Sequence, residues 1–163
     1  ATRIMWDRLA NQGADMNRVH FLPALPHHAL MALYSLSDVI LDSYYAGGCT
    51  TTREALELSA PVVTLPASHL GGRWSLAYYD IMGARDLVAT DKEEYVQIAV
   101  RMGTDREARQ GIQRKLRDSL GRLFGRQEEA VAAWVGVLER MARKKEEEEE
   151  GHGDEVRVAK EEL

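Results

Sequence analysis

The chain has 163 residues, 45% of them hydrophobic, and a formal net charge of −5, which suits one globular domain with a real core. No apolar run approaches the roughly 20 residues of a membrane span, and the opening residues read as neither a signal nor a transit peptide, so a cytoplasmic or nuclear setting is expected. Cys49 is the only cysteine, which excludes an internal disulfide and leaves no partner for a structural zinc site.

In chain order, "TRIMWDRLANQGAD" has apolar residues at helical spacing and a glycine stop at Gly13. "NRVHFLP" reads as a short strand closed by Pro23, with His20 packing under the next helix. "PHHALMALYSLS" is helical, Pro26 suiting its first turn. "DVILDS" and "APVVTLP" read as strands apolar on both faces, with the helix "TTREALELS" between them. Continuous Val/Ile/Leu runs alternating with helices predict a parallel sheet covered on both sides, so residues 18–66 read as a pair of βαβ units in an α/β fold.

Beyond residue 66, "HLGGRWSLAYYDIMG" is a helix stopped at Gly83, and "ARDLVAT" is a short strand or extended piece. "DKEEYVQIAVRMGTD" opens on a capping residue followed by carboxylates and places Tyr95, Ile98, Ala99 and Met102 on one face. Helices at about 105–120 and 127–143 complete the domain. Trp6, Trp74 and Trp134 read as core or domain-contact residues.

Residues 144–163 carry four Lys/Arg against nine Asp/Glu and so hold the whole charge imbalance. They have no apolar periodicity and read as a charged extension, helical through the glutamates and then disordered, giving a domain of 1–143 and a tail of 144–163. Residues 101–126 are basic, with eight Lys/Arg against three acids. The arginines lack interleaved aromatics, so they read as a solvated helix face and not as a nucleic-acid groove.

In open parallel sheets ligands bind beyond the carboxyl ends of the strands. "VILD" ends at Asp42, "SYYAGGC" follows, and a helix begins near Thr50. Gly47 and Gly48 permit a tight turn and close approach of a ligand. Free N–H groups at the helix start favour an anion, and the hydroxyls of Thr50, Thr51 and Thr52 add donors for phosphate oxygens. Glu54, one turn on, is placed to accept from the two hydroxyls of a ribose, which suits a nucleoside diphosphate. The plainer reading is a glycine loop, a threonine cap and an exposed glutamate; the spacing alone leaves both open. There is no Gly-Lys-Ser/Thr and no G-x-G-x-x-G after a strand, which weighs against kinases, ATPases and dehydrogenases. His27 and His28 are adjacent and point to different sides of a helix, so no two-histidine metal site is expected. Cys49 reads as an approach-loop residue and not as a nucleophile, having no histidine relay beside it.

The run "YSLSDVILDSYYAGGCTTTREALELSAPVVTLP" resembles the donor-binding core of family 41 glycosyltransferases, the protein O-linked N-acetylglucosamine transferases and Spindly-type protein O-fucosyltransferases. "RVHFLPALPHHALMALYSLSD" before it and "GGRWSLAYYDIMGARDLVATDKEEYVQIAVRMGTD" after it resemble the same family, covering about residues 3–140. The resemblance implies the C-terminal, Rossmann-like half of a GT-B glycosyltransferase, with the active site in the cleft between two halves. It implies donor diphosphate on Thr50 and Thr51, Gly48 and Cys49 in the approach loop, ribose on Glu54, and donor base near Leu25, Pro26 and His27. Thr52, His69 and Arg73 are further candidates for the cleft, Arg73 being equally suited to a surface salt bridge. Acceptor-side residues and any general base would lie in an N-terminal half, so no catalytic residue is named.

The implied partners are a nucleotide sugar, UDP-GlcNAc before GDP-fucose, protein Ser/Thr acceptors, the other GT-B half and tetratricopeptide-type repeats. No metal cofactor, nucleic acid or membrane is expected. Where the animal-type enzymes have His, Lys, His and Arg, this chain has Cys49, His27, Leu30 and Leu33. Loss of those cations removes charge-assisted contacts to a leaving diphosphate and supports a rival reading, a degenerate nucleotide-binding module. A second rival is an unrelated Rossmann-like or flavodoxin-like domain that holds another phosphate ligand.

Overall fold

A computed structural model of the chain describes residues 2–125 and 127–161, with side chains described for 2–125 and 128–145. Seven helices and one small parallel sheet follow in the order α1 Thr2–Asn11, α2 His27–Leu36, β1 Ile40–Leu41, α3 Thr50–Glu57, β2 Val62–Val63, α4 Trp74–Met82, α5 Lys92–Thr104, α6 Arg106–Phe124 and α7 Gln127–Glu161. The helix ends follow local chemistry. Gly13 leaves α1 at φ +80° and Gly83 ends α4 at φ +68°, backbone that glycine adopts without a Cβ penalty. Asp91 caps α5 through the Glu94 N–H, and Asp105 caps α6 through the Ala108 N–H.

β1 and β2 are parallel, with Ile40 opposite Val62 and Leu41 opposite Val63. Their ladder runs from Ile40 N–H to the Pro61 carbonyl at 2.8 Å and from Asp42 N–H to the Val63 carbonyl at 2.9 Å. A parallel bridge from Thr64 to Val88 carries the sheet one segment further. The "ARDLVAT" piece is thus a short 3-10 turn at Arg85–Leu87 followed by one bridging residue. Val62 and Val63 point to opposite faces and both are buried, which is why that run is apolar throughout.

Around β2 the core gathers Ala55 and Leu56 of α3, Tyr79 and Met82 of α4, Leu87, Met102 of α5 and Leu116 of α6. The α/β architecture expected from the sequence holds, with α3, α4 and α6 packed on one another and α5 against β2 and α6. Tyr79 is fully buried and spends its hydroxyl on one residue of the sheet. It donates to the Val62 carbonyl at 2.6 Å and accepts from the Val62 N–H at 3.2 Å.

Several expectations are corrected. Residues 19–23 pair with no strand among the described residues, so one βαβ unit, β1–α3–β2, stands where two were expected. A run of strand-forming residues becomes a strand only where a neighbour supplies ladder partners. For the same reason His20 is exposed and packs under no helix. β1 is covered on one side only, Leu41 being 56% exposed. Trp6, Trp74 and Trp134 lie outside the core; Trp6 instead leans on Phe21, with ring centroids 5.9 Å apart. The boundary expected at residue 143 and the disorder expected beyond it concern a segment whose side chains are described only as far as residue 145. No described helix is long and apolar enough to cross a membrane.

Candidate nucleotide-binding site

The carboxyl end of β1, Val62 of β2 and the start of α3 surround an open cavity of about 520 Å³ lined by Tyr34, Asp42, the Ala46–Gly47–Gly48 loop, Cys49 and the three threonines. Asp42 organises this corner. One carboxylate oxygen accepts from the Gly48 N–H at 2.8 Å. The other accepts from the Thr64 hydroxyl at 2.9 Å and the Ser75 hydroxyl at 2.7 Å. Its main-chain carbonyl accepts from the Tyr95 hydroxyl at 2.9 Å. The loop is stitched on its far side as well, by Gly47 N–H to the Gly71 carbonyl at 3.0 Å.

Gly48 and the threonines fit one another closely. A Cβ on Gly48 would stand 2.5 Å from the Thr52 hydroxyl oxygen and 2.7 Å from that of Thr51, so only glycine allows the loop to lie on the helix start. Cys49 occupies the cap position, and among the described residues no side chain caps α3. The first-turn N–H groups are therefore left for water or a ligand, at the positive end of the helix dipole. Thr50 and Thr51 are exposed, whereas Thr52 is 4% exposed and 3.2 Å from the Ser75 hydroxyl. The structure thus separates the three threonines into two that face out and one that braces the helix.

The remaining candidates lie around this cavity without lining it. Glu54 Oε1 is 3.0 Å from His27 Nε2, which joins the first turn of α2 to the second of α3. Tyr34 on the cavity wall is raised in pKa by burial and then by the negative charge of Glu54. Leu25 is half-buried, and the Pro26 carbonyl is already shared by the N–H groups of Ala29 and Leu30. His69 is exposed, its carbonyl accepting from Gly72 N–H. Arg73 makes no salt bridge among the described residues; it donates to the Ala67 carbonyl at 3.0 Å and so holds the turn next to the glycine loop. Cys49 Sγ lies 3.3 Å from the Tyr78 hydroxyl. Burial first, and then this contact, push the Tyr78 phenol up to about 12.

Asp42, Ser75, Thr64 and Tyr95 were not singled out by sequence as site residues. Asp42 carried one signal, a lone acid ending an apolar strand; the others act across 22, 33 and 53 residues and leave no local mark. Among the described residues no three His, Cys, Asp or Glu side chains are grouped to hold a metal. The arrangement offers backbone and hydroxyl donors for an anion and a carboxylate one turn away for a polyol.

Comparison with known proteins agrees on the family. The model of glycosyl transferase family 41 matches residues 3–128. A probable UDP-N-acetylglucosamine--peptide N-acetylglucosaminyltransferase SPINDLY of Petunia hybrida is 31% identical over 115 residues, 70% of this chain and 12% of the relative. The protein of the same name in Arabidopsis thaliana is 35% identical over 111 residues, 68% of this chain and 12% of the relative. The solved structure of a Thermobaculum terrenum O-GlcNAc transferase mutant superposes with a TM-score of 0.74 at 32% identity, over 86% of this chain and 27% of that one. This chain therefore spans about an eighth of the curated relatives' length. By the match of the family model over most of its length, the chain belongs to glycosyltransferase family 41.

Proposed function

We propose that the chain binds the nucleotide-sugar donor of a protein O-glycosyltransferase that transfers N-acetylglucosamine from UDP-GlcNAc to Ser/Thr hydroxyls. One observation carries the reading: the braced glycine loop leaves the uncapped first turn of α3 and the Thr50 and Thr51 hydroxyls at the cavity, with Glu54 one turn further on. The diphosphate takes the N–H groups and hydroxyls, the ribose takes Glu54, and the base lies towards Leu25, Pro26 and His27. The relatives' names support UDP-GlcNAc as donor.

In the inverting reaction that goes with this reading, the acceptor hydroxyl attacks the anomeric carbon, the bond to the diphosphate oxygen breaks, and the diphosphate departs with the electron pair. This chain's part is to hold the leaving group and offset its growing charge. The acceptor and the base that takes its proton are assigned to the other GT-B half, and protein targets to helical repeats.

One observation favours a second reading. Among the described residues no Lys, Arg or His lines the cavity, so charge compensation of a diphosphate rests on neutral donors, as in a degenerate module that keeps the fold and binds weakly. Isothermal titration with UDP and GDP, on the chain and on its Thr50→Ala/Thr51→Ala variant, tests both. UDP binding that the double substitution abolishes supports the proposal. GDP binding in its place assigns a fucosyl donor, and no binding of either overturns donor recognition by this chain.

A further inference from the structure

A carboxylate beside an anion site is at first sight misplaced. Asp42 makes no ion pair among the described residues, and it lines the cavity in which a diphosphate is proposed to sit. Its charge is instead absorbed by three neutral donors from three segments: the Gly48 N–H of the loop, the Thr64 hydroxyl after β2 and the Ser75 hydroxyl of α4. Hydrogen bonds to an ionised acceptor are about twice as strong as neutral ones. One half-buried carboxylate therefore ties together the pieces that shape the site.

The network has a direction. Ser75 Oγ is 2.7 Å from Asp42 and 3.2 Å from Thr52 Oγ1, and it owns one proton. Ser75 donates that hydrogen to the carboxylate, the shorter of the two contacts, and holds Thr52 Oγ1 within the same network. The loop is shaped to accept the same carboxylate, because a Cβ on Gly47 would lie 3.1 Å from Asp42 Oδ2 and 3.4 Å from Oδ1. We propose that Asp42 is the positioning residue of the donor loop, fixing Gly48 and, through Ser75, Thr52, so that the first turn of α3 is presented to the diphosphate. The effect on the ligand rests on the donor-binding reading above; the effect on the loop does not.

Cys49, next to Gly48 and the only cysteine, reports on the loop without any ligand. The test compares Asp42→Asn, Thr64→Val and Ser75→Ala with a control, Tyr79→Phe, which removes buried hydrogen bonds to the sheet and touches no loop residue. Maleimide labelling of Cys49 is expected to quicken by about threefold or more in the three network variants, and UDP affinity to fall about tenfold in Asp42→Asn. Tyr79→Phe lowers the melting temperature and moves neither readout. Network variants that label and bind like the parent, or a control that moves both readouts equally, overturn the proposal. If the parent binds no nucleotide, the donor reading fails and labelling alone decides the role of Asp42. If Asp42→Asn does not fold, Thr64→Val and Ser75→Ala, each losing one hydroxyl, carry the test.

Discussion

His27, the first residue of α2, holds Glu54 of α3 with 3.0 Å between Nε2 and Oε1. The histidine side chain is 68% exposed and the glutamate 22%, so the carboxylate is the more enclosed partner and the imidazole lies at the solvent edge. A ribose would find one carboxylate oxygen already occupied, and the other without a protein donor among the described residues.

Glu54→Ala is expected to weaken UDP binding about tenfold while leaving inorganic pyrophosphate unaffected, since only the nucleotide carries a ribose. His27→Ala is expected to cost less, because it frees the carboxylate without removing it. Titration calorimetry with the two ligands checks both. Equal losses for UDP and pyrophosphate would place Glu54 in the framework of the helix start instead.

Gly48→Ala is expected to remove nucleotide binding, because its Cβ would fall within contact distance of two threonine hydroxyls. Overpacking of this kind costs about 1–3 kcal/mol, so the variant should remain folded with a lowered denaturation midpoint. Urea titration read beside nucleotide titration separates the two effects.

Leu30 and Leu33 stand on α2 where the resemblance implies cations. His27→Lys combined with Leu30→His is expected to raise UDP affinity about tenfold, through charge-assisted contacts to the diphosphate. An unchanged affinity in the calorimeter would favour the degenerate-module reading.

The tyrosines predict an alkaline limit. The Tyr78 phenol is pushed up to about 12 by burial and the Cys49 contact, against an unfolded value near 10. Between those values the unfolded chain loses the proton that the native chain keeps, so stability is intact below about pH 10 and falls as pH rises towards about 12. Tyr78→Phe is expected to flatten that fall. Urea midpoints measured at about pH 9 and about pH 11 for both proteins provide the check.

Ser59 follows α3 at φ +58°, the left-handed region, with its N–H on the Leu56 carbonyl and the Ala60 N–H on that of Ala55. Left-handed backbone costs an L-residue roughly 1–2 kcal/mol. Ser59→Gly is expected to stabilise the chain by about 0.5–1 kcal/mol with no change in Cys49 labelling. A thermal melt decides it; a lowered midpoint would mean that the serine side chain contributes more than the backbone strain costs.

What could be read from the sequence alone rests on chemistry within a few residues. The glycine stops after α1 and α4, the aspartate caps of α5 and α6 and the fit of Gly48 against Thr51 and Thr52 all act through neighbours fewer than five positions away. Helix spacing and the β1–α3–β2 alternation followed, and a cavity lies at the carboxyl end of β1 where ligands of such sheets bind. The same local view misread residues 19–23 as a strand and β1 as doubly covered, because pairing and cover are supplied by other segments.

The tertiary structure alone decided which polar groups build the site and which merely stand near it. Thr50, Thr51 and Thr52 are equivalent as letters; only the arrival of Ser75 from α4 gives Thr52 a buried partner. Asp42 became the organiser because the register of β1 on β2 brings Thr64 to its carboxylate, and α5 brings Tyr95 to its carbonyl. The His27–Glu54 contact needs α2 and α3 side by side. Such contacts span 22 to 53 residues, a distance over which spacing in a sequence carries no geometry until the core around Val62 and Val63 has closed.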